Sequence, residues 1–202
     1  MADRELPAQP ETQVPRPARM VCAAAYGLQV YGAGRYTSSV MDNQQGYSPA
    51  GLGTLLGDRQ IAVAESCTGG ALAARLVSVP GSSAYFRGGV IAYSNDVKAG
   101  LLGVKEAVLA SHGAVSEECA LQMARGVRRL LGTHIAISTT GIAGPEGGTP
   151  QKPVGLVYVA LSTPEGETVT RNVWSGDRMK NIELSVQEGL RLLREYLEGT
   201  GS

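Results

Sequence analysis

Seven residues, AESCTGG at 64–70, put a carboxylate, two hydroxyls, a thiol and two glycines between the apolar run QIAV and the amphipathic run ALAARLV. Such a stretch suits a phosphate-binding loop, a nucleophile turn or a capped helix start. The phosphate-loop pattern GxxxxGK[ST] is absent, and so is the GxSxG elbow. A strand-to-helix turn still exposes backbone N–H groups at a helix start, where an anion or a developing oxyanion is stabilised. Ser66, Cys67 and Thr68 can each attack an electrophile. Successive side chains point in different directions, so the turn offers one nucleophile rather than three. A thiolate there would be activated by the helix dipole, which keeps Cys67 beside Ser66 as a candidate. The plainer alternative is that Thr68 or Ser66 caps the helix and Cys67 packs in the core.

A serine hydroxyl needs a base, and no Ser/His/Asp set is evident. The stretch AYSNDVK supplies Tyr93 and Lys98. A desolvated lysine is neutral enough to accept a proton, and Lys98 buried near Ser66 would do so. Against this stand a solvated helix lysine and a strand-end tyrosine with a satisfied hydroxyl. The segment TTGIAGPEGGTPQKPVG, residues 139–155, is too long and glycine-rich for a simple turn. Its glycines permit close backbone approach, and its hydroxyls and amides suit phosphate or ribose. Arg178, in SGDR, is a candidate phosphate clamp. The lone His112 in SHGAVS reads as a structural hydrogen-bonding residue. No CxxC or Cys/His metal pattern occurs among Cys22, Cys67, Cys119, His112 and His134, so no metal and no cofactor is expected.

The elements that must position these groups follow from periodicity. QIAVAES, RGGVIAYS, HIAISTTG, VGLVYVALS and ETVTRNVW read as strands, and TPEG is the turn of a terminal hairpin. SPAGLGTLLGD and NDVKAGLLGV read as short helices, the second with Ser94 or Asn95 as cap. TGGALAARLVSVPG reads as a helix capped by Thr68, with Leu72, Leu76 and Val77 on one face. SEECALQMARGVRRLLG is capped by Ser116, ends at Gly132 and carries a stripe of Ala120, Met123, Val127 and Leu130. The last helix spans about Asp177 to Glu198, with Ile182, Val186, Leu190, Leu193 and Leu197 inward. The alternation predicts an α/β protein, a three-layer α/β/α sandwich around a mixed, mostly parallel five-stranded sheet. Such sheets bind ligands at the C-terminal ends of their strands, where all three polar segments fall.

Composition changes near residue 48. Residues 1–19 are Pro-rich and polar, and 20–47 show no sustained period, so 1–47 are expected to form a disordered or loosely packed arm before a domain at 48–202. Eighteen basic and eighteen acidic residues cancel, which argues against a nucleic-acid or membrane-surface binder. No apolar run reaches membrane-span length and the cysteines read as free thiols, so a cytoplasmic location is expected.

AESCTGG, PGSSAYFRGGVIAYSNDVKAGLLGV, HGAVSEECA, TTGIAGPEGGTPQKPVG and SGDR occur in the order seen in CinA C-terminal domains, and residues 50–197 resemble that family. The resemblance implies a metal-free nicotinamide-nucleotide amidase, which turns nicotinamide mononucleotide into nicotinate mononucleotide and ammonia. It also implies homo-oligomers, commonly dimers. On that basis Ser66 attacks the carboxamide, Lys98 takes its proton and Tyr93 relays or orients it. Amides around Thr68, Gly69 and Gly70 hold the oxyanion. The ribose and phosphate fall to Asn95, Thr140, Gly141, Gly144, Gly147, Gly148 and Arg178. The alternative is a nucleotide-sensing or protein-interaction module, linked to competence or DNA damage, that does not catalyse.

Overall fold

A computed structural model describes residues 49–200; the arm expected at 1–47 lies outside them. Five strands form one sheet in the order β2-β1-β3-β4-β5: β1 (Ile61–Glu65), β2 (Phe86–Ile91), β3 (Ile135–Gly141), β4 (Leu156–Ser162) and β5 (Glu167–Val173). β1 pairs parallel with β2 and β3, whereas the β3–β4 and β4–β5 ladders are antiparallel. β4 thus runs against the other four strands, and the sheet is mixed as expected.

Period-two alternation decides what covers each face. Ile61, Val63, Ile135, Ile137, Val157 and Val159 pack with α1 (Leu52–Leu56), α2 (Ala71–Val77) and α6 (Arg178–Gly199). The intervening Ala62, Ala64 and Ala136 face α5 (Glu117–Leu131) and its neighbours α3 (Asn95–Gly100) and α4 (Glu106–Ser111). Large residues therefore point to one layer and alanines to the other. On the alanine side Gly126 lies so close to the Leu102 carbonyl that a Cβ would fall 2.0 Å from its oxygen. β1, β3 and β4 are buried, while β2 and β5 are the edges.

Four local expectations change. α4 is an additional helix, six residues long and without a side-chain cap, too short to show a period. Thr68 does not cap α2; the N-cap position is Gly70, in a left-handed conformation at φ 105°. Val77 is 48% exposed, one residue past the buried Leu76 and hence rotated off the face. Leu130 is 51% exposed, and Leu131 continues the Met123–Val127 stripe instead. The Ser116 cap forms as expected, accepting from the Cys119 amide, and Asp177, expected only as the approximate start of the last helix, caps it by accepting from the Lys180 amide.

Candidate active site

β1 leads through α2 to β2 on one flank, and β2 returns through α3–α5 on the opposite face to β3 on the other. Crossovers leaving β1 toward opposite sides open a crevice at its C-terminal end. The same alternation that sorts the core sorts the chemistry. Glu65 ends β1 facing the α2 layer, and Ser66 turns to the other side, where α3 brings Lys98.

Lys98 is 1% exposed, the largest fully buried side chain of the described residues. Its Nζ lies 3.2 Å from Ser66 Oγ, 2.8 Å from the Ala92 carbonyl oxygen and 3.3 Å from that of Tyr93. Desolvation holds its pKa below the usual 10.5. A neutral amine has two N–H groups and one lone pair. Nζ has three acceptors here, Ser66 Oγ and the two carbonyls; in the neutral form the carbonyls can take both N–H groups and the lone pair then faces the Ser66 hydroxyl. Among the described residues no carboxylate pairs with this nitrogen, and the opposing influence of Cys119 and Cys67 is smaller than that of burial.

Cys67 lies next to Ser66 and is 7% exposed. Burial pushes its thiol up to about 12, and the Glu65 carboxylate adds to the rise. The dipole activation considered for Cys67 is therefore overridden by desolvation. Cys119, behind Lys98, is likewise pushed up to about 11 by burial.

The Ser66–Lys98 pair opens into a cavity of about 300 Å³, at the lower end of small-molecule sites. Tyr93 and Asn95 line it from the end of β2 and the start of α3. Thr140 and Gly141 line it from the end of β3, Gly144 and Gly147 from the segment that follows, and Arg178 from the first turn of α6. Gly148, Thr68, Gly69 and Gly70 are outside the lining. Gly148 packs against Val154. The Thr68 hydroxyl is 2.6 Å from that of Thr139, on the α2 side of the sheet.

The oxyanion assignment changes in the same region. Gly69 N–H donates to the Ser66 carbonyl at 3.1 Å and Gly70 N–H to Glu65 Oε2 at 3.0 Å, so neither is available to a ligand. The Tyr93 relay also changes. Its ring is 62% exposed and its hydroxyl accepts from Arg178 at 3.2 Å, so it is the main-chain carbonyl of Tyr93 that meets Lys98. Arg178 also donates to the Gly144 carbonyl at 2.7 Å, spanning the mouth from β2 to the loop after β3. Two of its five N–H groups are engaged, leaving three for an anion.

Sequence reasoning missed Ala114 and Val115, which line the cavity from the loop between α4 and α5. The Thr140 hydroxyl donates to the Ala114 carbonyl at 2.7 Å and Lys152 Nζ to that of Val115 at 2.7 Å. The signal was the glycine in SHGAVS, three residues before the Ser116 cap. Exposed Glu146 also lines the site. His112 is not in the lining; its Nδ1 lies 2.8 Å from the Ser111 hydroxyl. Among the described residues no three His, Cys, Asp or Glu side chains cluster as metal ligands, and no helix is long and apolar enough to cross a membrane.

A sandwich with a buried lysine held against a serine at the strand ends defines a class, and comparison with known proteins gives it a family. The CinA C-terminal domain model matches residues 53–197, so the chain belongs to the CinA C-terminal domain family. It is 51% identical over 147 residues to a CinA-like protein of Thermotoga maritima, covering 72% of this chain and 36% of that protein. The chain thus spans little more than a third of the length of such relatives. The competence/damage inducible protein CihA from Agrobacterium tumefaciens superposes with a TM-score of 0.68 at 38% identity, over 70% of this chain and 86% of that one. A CinA superfamily protein from Enterobacter cloacae superposes with a TM-score of 0.73 at 29% identity, over 81% and 99%.

Proposed function

We propose that this domain is a serine amidase that hydrolyses the carboxamide of nicotinamide mononucleotide. The observation that carries the reading is the buried Lys98 amine 3.2 Å from Ser66 Oγ, with both of its neutral-form N–H groups matched to carbonyls. Ser66 Oγ attacks the carboxamide carbon as its proton passes to Lys98 Nζ. The amide of Cys67, which directly follows the nucleophile in the cavity lining, holds the oxyanion; a single such donor is worth about 2.7–4 kcal/mol in the transition state. Collapse breaks the C–N bond, and Lys98 returns the proton to the departing ammonia. Water then adds to the acyl-serine ester, giving its proton to Lys98. Ser66 leaves with that proton, and the product acid gives its own proton to ammonia or solvent and departs as the carboxylate.

The nucleotide half of the substrate rests on the family resemblance and on the character of the outer cavity. Arg178 and the glycine-rich loop offer a guanidinium and close backbone approach, which suit a phosphate and a ribose. Tyr93 and Asn95 stand at the same rim. Nothing in the reaction calls on a metal.

The test is ammonia release from nicotinamide mononucleotide by purified protein in EDTA, beside Ser66→Ala. The expected loss in the variant is at least about 10³-fold. Near-wild-type turnover in Ser66→Ala would remove the serine assignment. Nucleotide binding without ammonia release by the wild type would instead make the domain a binding module.

A further inference from the structure

The reaction above leaves one buried ionisable side chain unused. Glu65 is 1% exposed and points away from the cavity, toward the start of α2. Its Oε2 accepts from the amides of Gly70 at 3.0 Å and Leu72 at 3.1 Å, and its Oε1 from that of Ala73 at 2.8 Å. A buried carboxylate is costly unless hydrogen bonded, and a helix start has unsatisfied N–H groups; here each meets the need of the other. A hydroxyl cap satisfies one such amide, whereas the two carboxylate oxygens reach three.

The backbone of the same residue is fixed from both sides of the sheet. The Glu65 carbonyl accepts from Ala92 N–H at 2.7 Å, and Ser66 N–H donates to the Thr139 carbonyl at 3.0 Å. Inside the turn, Gly69 N–H donates to the Ser66 carbonyl at 3.1 Å and Ala71 N–H to that of Thr68 at 3.0 Å. From Ser66 to Ala73, the amides left without a carbonyl or carboxylate acceptor are those of Cys67 and Thr68. They are the two that follow the nucleophile.

We infer that Glu65 is a positioning residue for acyl transfer: by taking up the Gly70, Leu72 and Ala73 amides, its carboxylate fixes the turn so that Ser66 Oγ meets Lys98. The inference rests on the serine-amidase reading. Glu65 touches neither substrate nor Lys98 and acts through the turn alone. Its charge also offsets the positive end of α2, which leaves anion binding to Arg178 at the far rim.

The experiment compares wild type with Glu65→Gln, which keeps the shape and removes one acceptor oxygen and the charge. With nicotinamide mononucleotide, kcat should fall about 30–100-fold while KM changes less than about threefold, because misplacing a nucleophile by a fraction of an ångström acts on the chemical step. A serine-directed fluorophosphonate should phosphonylate Ser66 more slowly by a similar factor, followed by intact mass with Ser66→Ala as the blank. A Glu65 that only stabilised the fold would lower Tm and leave kcat and labelling of the folded protein unchanged; that result overturns the inference. Should Glu65→Gln not fold, Ala73→Pro removes one of the three donors and keeps the carboxylate. It should lose about threefold to tenfold in kcat and in labelling rate, and wild-type values in both would again overturn the inference. If wild type releases no ammonia, the substrate reading fails while labelling still decides. Faster labelling of wild type than of Glu65→Gln upholds the positioning role, and equal rates sink it.

Discussion

The turn after β1 and the loop after β3 flank one cavity and are held in opposite ways. The β1–α2 turn is fixed by its own atoms and by the adjoining strands. Its bonds run from Glu65 to α2, from Ser66 to β3 and from Thr68 to Thr139. The loop at 142–155 is closed at its base by the Gly155 N–H to Ile142 carbonyl bond, and its cavity-facing part is pinned by side chains that join it to other elements. Arg178 and Asn181 of α6 hold the Gly144 and Ala143 carbonyls, and Lys152 of the loop itself holds those of His112 and Val115. The difference matches the two tasks that the proposed function gives them. Attack tolerates little displacement, so the nucleophile stands where the backbone is over-determined. On the proposed reading this loop would meet ribose and phosphate, and its pins range from the exposed Arg178 to the buried Asn181.

This contrast predicts that damage beside the turn removes kcat, whereas damage to a pin raises KM. The largest effect belongs to Lys98→Met, which should lower kcat about 10²–10⁴-fold in the ammonia assay. Arg178→Ala should come next, raising KM for the nucleotide about 10–100-fold through lost charge-assisted bonds. The contrast breaks if Arg178→Ala lowers kcat as far as Lys98→Met does.

Two pH measurements sharpen the picture of the turn. With the Lys98 pKa depressed by burial, kcat/KM for wild type should climb through an inflection below 10.5. The stability effect has a fixed sign. Between the lowered folded value and the unfolded 10.5, the unfolded chain binds the extra proton, so folding gains stability as pH rises through that window. Relative to Lys98→Met, wild type should therefore gain Tm toward alkaline pH, and a flat difference would deny the burial effect.

A smaller change is expected at a pin that touches no ligand. Asn181 is fully buried; its Nδ2 donates to the Ala143 carbonyl at 3.0 Å and its Oδ1 accepts from Gly176 N–H at 3.0 Å. Asn181→Leu should cost about 1–3 kcal/mol for each group left unpaired, read as a fall in denaturant midpoint. KM should rise with kcat nearly kept, because the loop loosens while the turn does not.

Most of the framework was legible because long apolar runs and strong caps carry their own signal. All five strands fall where period and turn residues put them, Ser116 caps the helix expected of it, and the last helix starts beside Asp177 as expected. The convergence of three strand ends on one cavity was likewise readable from the alternation of elements. The missed features depend on contacts that no local pattern encodes. Thr68 looks like a cap, yet Glu65 does the capping, because period two aims Glu65 at α2 and Thr68 meets Thr139 from another strand. Tyr93 looks like a proton relay beside Lys98, yet its ring extends outward to an arginine 85 residues away. Ala114 and Val115 have no chemistry of their own and enter the site through carbonyls.

The smallest expected effect tests the sharpest local distinction, that between two adjacent side chains of the turn. Cys67 and Ser66 are almost equally buried, 7% and 8% exposed, so access does not separate them. What separates them is the environment of the charge each would have to carry. A thiol pushed up to about 12 by burial stays protonated at neutral pH, and the Glu65 carboxylate opposes its ionisation further. The serine needs no standing charge, because the Lys98 lone pair takes its proton as the bond forms. Cys67→Ala should therefore change turnover by less than about threefold and, keeping the backbone amide, leave the oxyanion donor in place. Iodoacetamide should alkylate the wild-type site slowly near neutrality, as intact mass would reveal. Loss of turnover in Cys67→Ala with retention in Ser66→Ala would reverse the assignment. It would also mean that the lysine serves a thiolate rather than a hydroxyl.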